Sequence, residues 1–113
     1  MVEYDINDFV NRNLQEGKTM KFAFLIMGDF DCKIDRAIIH DGTAQIIGVA
    51  SIEDACMVAK KLKANGIDCI ELCSAFGEAG AKAIIEATGN TLPIGYITHL
   101  LEQDEMYRIA FSN

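Results

Sequence analysis

The chain has 113 residues, half of them hydrophobic, which is enough for one domain with a real core and too few for two. Acidic residues outnumber basic ones by 17 to 10, and the densest basic cluster is only Lys60, Lys61 and Lys63. This charge balance argues against nucleic acid or an anionic membrane surface as a partner. No apolar run is long enough for a membrane span, and four cysteines without C-x-x-C spacing favour reduced thiols in a cytoplasmic protein.

The amino-terminal segment predicts a short amphipathic helix over residues 5–16, with Asp5 as the N-cap and Gly17 as the stop. Its apolar residues recur at helical spacing: Ile6, Phe9, Val10 and Leu14. Met20 then opens a strongly apolar run and is an alternative start. We therefore expect residues 1–19 to be a helical appendage, packed on the domain or on a neighbouring subunit, and residues 20–113 to be a single α/β domain.

The next segments predict a buried strand and a hairpin. Residues 21–27 form a nearly continuous apolar run, which is typical of a strand buried on both faces. A polar loop begins at Gly28. Asp41-Gly42 then separates the apolar runs 37–40 and 44–49, which indicates a hairpin whose longer second arm enters the main sheet.

The rest of the chain alternates helices and strands. Residues 51–54 resemble a capping box and start a helix that stops at Gly66. A strand over 67–72, a helix over 78–88, a strand over 92–97 and a closing helix over 99–111 follow. Short connections of this kind require parallel crossovers. The predicted fold is α/β: a small, mainly parallel sheet of about four strands with flanking helices, plus a β-hairpin after strand 1. No G-x-G-x-x-G follows the first strand, so no dinucleotide or other cofactor is predicted.

One block of the sequence carries a family resemblance. It runs Cys69-Ile70-Glu71-Leu72-Cys73-Ser74-Ala75-Phe76-Gly77, and is followed by Gly80 and by Pro93-Ile94-Gly95. It resembles a family of small microbial α/β proteins of unassigned function, with an I-E-L-C-x-x-F-G motif and then a V-P-V-G-type strand. The resemblance covers residues 20–99 and implies no particular activity. The turn is also similar to one βα unit of phosphate-binding barrels.

The carboxyl ends of the parallel strands are the expected ligand site, because α/β sheets bind their ligands there. Small residues before the second crossover helix leave backbone amides free to hold a carboxylate or phosphate. Close packing of a tight turn is the alternative explanation for the same residues. The predicted ligand-binding residues are Asp29, Ser74, Ala75, Phe76, Gly77 and Thr98.

Three residues are candidates for catalysis: Glu71, His99 and Cys73. An acid within a parallel strand is costly unless it is paired, so Glu71 is either an acid–base group or a structural acid. His99 follows a strand end and is a candidate proton donor. Cys73 precedes a helix start, which lowers a thiol pKa, although a small buried side chain in a turn has the same sequence signature. No H-x-H or H-x-x-x-H spacing joins His40 to His99, so no metal site is predicted.

Two functions follow from these residues. In the first, the protein is a homo-oligomer that binds a small, possibly anionic metabolite at the strand ends; its partners are its own copies and that ligand. In the second, it is a small isomerase- or lyase-type enzyme that uses Glu71 and His99 on a carbonyl or carboxylate metabolite. Catalysis requires at least two of Glu71, Cys73 and His99 to face one cavity, and that geometry distinguishes the two functions.

Overall fold

The computed structural model of the protein describes residues 6–14 and 19–112. It contains five strands and four α-helices within those residues. The strands are β1 (Phe22–Met27), β2 (Arg36–Ile39), β3 (Ala44–Val49), β4 (Cys69–Leu72) and β5 (Ile94–Tyr96). The helices are α1 (Ile6–Asn13), α2 (Ile52–Ala64), α3 (Gly77–Ala87) and α4 (Asp104–Ala110), with a short 3₁₀ turn over Leu101–Gln103.

The strands form one sheet in the order β2-β3-β1-β4-β5. Strand β1 pairs in parallel with β3 and β4, and β4 pairs in parallel with β5. Strand β2 is antiparallel to β3 and forms the predicted hairpin with it. The α/β class and the mainly parallel sheet are therefore confirmed, with four parallel strands and the hairpin arm as the fifth.

Local signals predicted the ends of α2 well. The Ser51 side chain accepts a hydrogen bond from the Asp54 amide at 3.0 Å, and the Asp54 carboxylate accepts one from the Ala50 amide at 2.9 Å. Both bonds satisfy amides at the start of the helix. At the other end Gly66 has a φ of +88°, a conformation that glycine adopts without strain.

Several predicted boundaries shift by one to three residues. Strand β4 begins at Cys69 rather than at residue 67, and β5 covers only Ile94–Tyr96. The predicted closing helix from residue 99 begins instead as a 3₁₀ turn at residue 101, because Leu100 is extended with a ψ of 149°. Of the predicted helix 5–16, α1 accounts for residues 6–13, and residues 5, 15 and 16 lie outside the described part of the chain.

The core lies between one face of the sheet and two helices. Alternate residues of the central strands are fully buried there: Ala23, Leu25, Ile47, Val49, Ile70 and Leu72. They pack in one cluster with buried residues of α2 and α3, such as Ala59 and Ile84. Both crossovers, β3 to β4 and β4 to β5, run in the same direction across the sheet. Right-handed connections therefore place both helices on the same side.

The other side of the sheet is partly exposed, whereas the sequence predicted that β1 would be buried on both faces. Its outward side chains are Phe22, Phe24, Ile26, Ala37, Ile39, Ala44, Ile46, Cys69 and Glu71, and we call this surface the open face. Phe22 and Ile46 are each 39% exposed, and Ile39 is 53% exposed. The Phe30 ring lies over Gly48 at one end of the open face, where a Cβ on the glycine would meet the ring at 2.6 Å.

None of the helices in the described ranges combines the length and apolar character needed to cross a bilayer. The longest, α2, has 13 residues, whereas a spanning helix needs about 20.

Candidate functional site

A groove of about 750 Å³ lies at the carboxyl ends of β4 and β5. One wall is the loop between β4 and α3, and the other is the segment from Tyr96 to Phe111. The residues that line it are Ser74, Ala75, Gly77, Tyr96, Ile97, Thr98, His99, Asp104, Tyr107, Arg108 and Phe111. The lining is mainly apolar, with a few polar groups, as is usual for small-molecule sites.

The start of α3 supplies hydrogen-bond donors to the first wall. Helix α3 begins at Gly77, and no side chain caps its amino terminus. The first amides of a helix have no partner within the helix and carry its positive dipole end. Phe76, which is only 4% exposed, anchors this turn in the core, and the φ of +63° at Gly77 suits a residue without a side chain.

The second wall is built around His99. Its Nε2 lies 2.6 Å from Oδ1 of Asp104, and its ring stacks on Tyr107 with the centroids 3.9 Å apart. Tyr107 in turn stacks on Phe111 at 5.8 Å. These contacts hold the carboxyl-terminal helix beside the strand ends and give the groove an aromatic surface.

Arg108 adds a positive charge to the same wall. Its guanidinium donates two hydrogen bonds to Glu105, one of them from Nε at 3.1 Å. This contact lowers the pKa of the Glu105 carboxyl and raises the pKa of Arg108, so both groups stay charged. Because both side chains are about two-thirds exposed, the pair adds little stability and leaves other guanidinium donors free for a ligand.

The structure brings five of the predicted residues to this groove: Ser74, Ala75, Gly77, Thr98 and His99. Phe76 is adjacent in sequence but turns into the core. The remaining three, Asp29, Glu71 and Cys73, do not line the groove. Asp29 is exposed in the loop after β1.

Cys73 has structural contacts. Its Sγ accepts a hydrogen bond from the Met27 amide at 3.4 Å, and its own amide donates to the Leu25 carbonyl at 3.0 Å. Its carbonyl accepts from the Phe76 amide at 3.1 Å. These bonds extend the β1–β4 pairing past the end of β4 and fix the turn that leads into α3. All four cysteines are free thiols.

Glu71 lies on the open face. Its carboxylate extends over Gly95 on β5, the residue with which it is paired, and any Cβ at Gly95 would collide with Oε2. Oε1 accepts a hydrogen bond from the Cys69 thiol at 3.5 Å. Glu71 does not line the groove that contains His99, which gives no support to acid–base chemistry shared between them.

The Cys69 thiol is expected to be unreactive at neutral pH. Burial, followed by the hydrogen bond to Glu71 and the negative charge of that carboxylate, raises its pKa from 9.0 to about 11. The thiolate is the nucleophile in alkylation, so Cys69 should react slowly with iodoacetamide near neutral pH and faster as the pH approaches 11. Peptide mass spectrometry after alkylation measures this rate at each pH.

The raised pKa also has a consequence for stability. It favours the protonated thiol in the folded state, so the stability that the protonated thiol contributes is fully present below pH 9.0 and is lost as the pH rises through about 11.

The matched variant for the alkylation experiment is Glu71→Gln, which removes the negative charge and should move the alkylation profile of Cys69 to lower pH. Alkylation of folded Cys69 at the rate of the unfolded chain would contradict the assignment.

Sequence reasoning missed three groove residues on α4: Asp104, Tyr107 and Arg108. Together with Phe111 they recur at positions i, i+3, i+4 and i+7, the spacing of one helix face. The apolar residues Leu100, Leu101, Met106 and Ile109 directed attention to a different face, which is exposed in the structure. These residues could have been predicted from the sequence, because this polar and aromatic face follows closely after His99.

A second cavity, of about 500 Å³, lies between α2 and the hairpin. Lys21, Arg36 and Lys61 line it above an apolar floor that includes Val58 and Leu62. It extends towards the amino ends of the parallel strands, where Lys21 and Ile67 precede β1 and β4. The first groove is the stronger candidate because it combines the carboxyl strand ends, a helix start and an aromatic wall.

No group of three or more histidine, cysteine, aspartate or glutamate side chains stands close enough to hold a metal ion within residues 6–14 and 19–112. The nearest approach to such a group in the groove is the His99–Asp104 pair.

Comparison with known proteins places the chain in a family. A model of a family of unknown function, DUF6506, matches residues 20–112. The chain belongs to this family. The match includes the groove, the sheet and α4, and it begins after α1. No curated protein and no solved structure matches the chain.

Proposed function

We propose that this member of the family is a cytoplasmic binding module, a homo-oligomer that holds a small anionic metabolite in the groove at the carboxyl ends of β4 and β5. The observation that carries the proposal is the composition of the two walls. The uncapped start of α3 lines one side of the groove and Arg108 lines the other. Both favour a negative charge.

The shape of the groove supports a ligand with an apolar part as well as an anionic group. Tyr96, Tyr107 and Phe111 line it, and stacked aromatic side chains bind flat apolar groups well. Thr98 and Ser74 supply hydroxyl groups that donate or accept hydrogen bonds. A small carboxylate or phosphate ester with an unsaturated or aromatic body fits this set of groups.

The anionic preference has to act locally, because the chain carries a net charge of −7. A field of that sign repels anions at long range, and salt screens it beyond about 10 Å. Backbone amides at a helix start and one guanidinium act within contact distance, where screening is small. The negative charges of Glu78 and Glu105 near the groove weaken this attraction. We therefore expect ligands with a full, localised negative charge to bind better than ligands that are only polar.

The oligomeric part of the proposal has a separate basis. The open face and the carboxyl-terminal segment both carry exposed apolar side chains, and contiguous apolar surface of this kind often marks a protein–protein contact. In this proposal residues 20–113 form the domain, residues 1–19 are an appendage to it, and other copies of the chain are the protein partner.

Phenyl phosphate, which joins an aromatic ring to a dianion, is the probe for this groove. Arg108→Gln should weaken its binding about tenfold, because a charge-assisted hydrogen bond contributes on the order of 1.5–3 kcal/mol. Isothermal titration of the full chain measures the change.

Lys82→Gln is the matched control, since Lys82 is an exposed cation on α3 that pairs with Glu78 and does not line the groove. It should change the affinity by less than about twofold. Phenol, the uncharged analogue, should bind wild type and Arg108→Gln equally. Equal phenyl phosphate affinity in wild type and Arg108→Gln, or an equal loss in both variants, would exclude the proposed site.

A further inference from the structure

The open face is an apolar sheet surface whose side chains remain partly exposed in the described part of the chain. Helices α2 and α3 both pack on the opposite side, while Phe22, Ile39 and Ile46 remain between 39% and 53% exposed. Parallel sheets are normally covered on both faces, because their strands carry apolar side chains in both directions. Strand β1 has this composition, with the sequence Phe-Ala-Phe-Leu-Ile-Met.

Helix α1 is the first candidate to cover the open face, and two observations count against it. Its described apolar side chains, Ile6 and Val10, are 51% and 38% exposed, and Leu14 just after it is 77% exposed. The family match begins at residue 20, so the shared domain includes the open face but does not include α1. A cover that belongs to the domain itself has to come from elsewhere.

The dimensions of the face fit a second copy of the chain. Five strands three to six residues long and about 4.8 Å apart outline roughly 400 Å², and a stable dimer buries about 800 Å² on each partner. The sheet supplies about half of that area in outline, and its projecting side chains increase it. Leu101, Met106 and Ile109 of the carboxyl-terminal segment are further exposed apolar residues within the same family domain.

Charge on the open face also favours a self-contact. Glu71 is the only charged side chain among the outward residues of the five strands. It lies on β4 beside its register partner Phe24, but its carboxylate is directed over Gly95 towards the β5 edge of the sheet. Two copies can therefore pack their uncharged central residues together while each carboxylate stays at the rim in contact with water.

We propose that the open face is the dimer interface of this protein, with Phe24 and Ile46, which are register partners on β1 and β3, at its centre. This inference rests on the proposed homo-oligomer and identifies the surface that forms it. A twofold contact of this kind is isologous, so one changed side chain alters the interface twice.

The test is Ile46→Glu in the full chain. It places a carboxylate at the centre of the contact in both copies, and an unpaired buried charge should weaken dimerisation by on the order of 100-fold or more. Light scattering coupled to size-exclusion chromatography, over a range of protein concentrations, measures the dissociation constant. Circular dichroism establishes that each variant is folded.

Ile38→Glu is the matched control. Ile38 is on β2 of the same sheet, is 65% exposed, and points to the helix side, where it lines the second cavity. It should leave the dimer unchanged. Phe22→Ser is the milder second variant: Phe22 lies at the start of β1 with 39% exposure, and its loss should weaken the dimer about tenfold without a buried charge.

The outcomes distinguish the proposal that the protein is a homo-oligomer from the proposal that the open face is its interface. Dissociation by Ile46→Glu and Phe22→Ser, with Ile38→Glu unaffected, supports the open face as the interface. A wild-type oligomer that none of the three changes dissociates overturns the interface but leaves the homo-oligomer. A monomeric wild type overturns both, and destabilisation of that monomer by Ile6→Glu together with Val10→Glu would assign the cover to α1. Phenyl phosphate binding to the groove is a separate measurement, and none of these outcomes decides it.

Discussion

Leu25→Ala should reduce the free energy of unfolding by about 3 kcal/mol, within a range of roughly 2 to 5 for buried leucines. Leu25 is fully buried in the central strand β1, between its register partners Ile47 on β3 and Leu72 on β4. Helices α2 and α3 cover this side of the sheet, so the cavity left by the truncated side chain has little room to collapse. Urea denaturation at one fixed protein concentration measures the change, because oligomers unfold in a concentration-dependent way.

Ile38→Ala is the control for this experiment. It removes three carbon atoms from a side chain on the same sheet that is 65% exposed, and should cost less than about 1 kcal/mol. Equal losses for the two variants would mean that Leu25 does not lie in the principal core of the protein.

Asp68→Ala should cost about 2 kcal/mol, because it leaves the partly buried amide of Lys21 without its side-chain acceptor. Asp68 is only 4% exposed. Its Oδ2 accepts a hydrogen bond from the Lys21 amide at 2.8 Å, and its amide donates to the Lys21 carbonyl at 2.7 Å. The two bonds join the chain segments just before β1 and β4 and so fix the register of the central pair of strands.

Two further variants make this prediction specific. Asp68→Asn retains one carbonyl oxygen as an acceptor and should lose less stability than Asp68→Ala. Glu71→Ala removes a half-buried carboxylate from the open face and should cost under about 1 kcal/mol. A larger loss of unfolding free energy for Glu71→Ala than for Asp68→Ala would mean that Glu71, and not Asp68, is the acid that stabilises the fold.

These two acids show where sequence reasoning succeeds and where it fails. The apolar run around residues 67–72 correctly predicted the strand β4. Glu71 stood out because it interrupts that run, yet it lies on the side of the sheet that α2 and α3 do not cover. Asp68 precedes the strand and has no distinctive spacing. Its burial follows from tertiary pairing with the Lys21 backbone, which only the folded chain brings close.

The same reasoning applies to the layers of the fold. Capping signals and glycine stops predicted the crossover helices, and Asp41-Gly42 predicted the hairpin. The sequence of β1 predicted burial on both faces, since apolar side chains alternate to both sides of it. Which side a helix covers depends on the direction of both crossovers, and strand periodicity alone carries no information on strand order.

For the groove, the loop after β4 was predictable because ligand sites occur at carboxyl strand ends. Ser74, Ala75 and Gly77 were found in this way, as were Thr98 and His99 after β5. Arg108 and Tyr107 were not found, because the packing of α4 against His99 decides which helix face meets the groove. The cation that carries the proposed anion preference therefore emerged only from the structure.

The most direct test of anion binding in the groove is an amide chemical-shift map of the full chain titrated with phenyl phosphate. We expect the largest shifts at the start of α3 and around His99, at Ser74, Gly77 and Arg108, with saturation at one ligand per subunit. Shifts concentrated around Lys21, Arg36 and Lys61 would place anion binding in the cavity beside the hairpin instead. The absence of any saturable shift would contradict the proposed binding function itself.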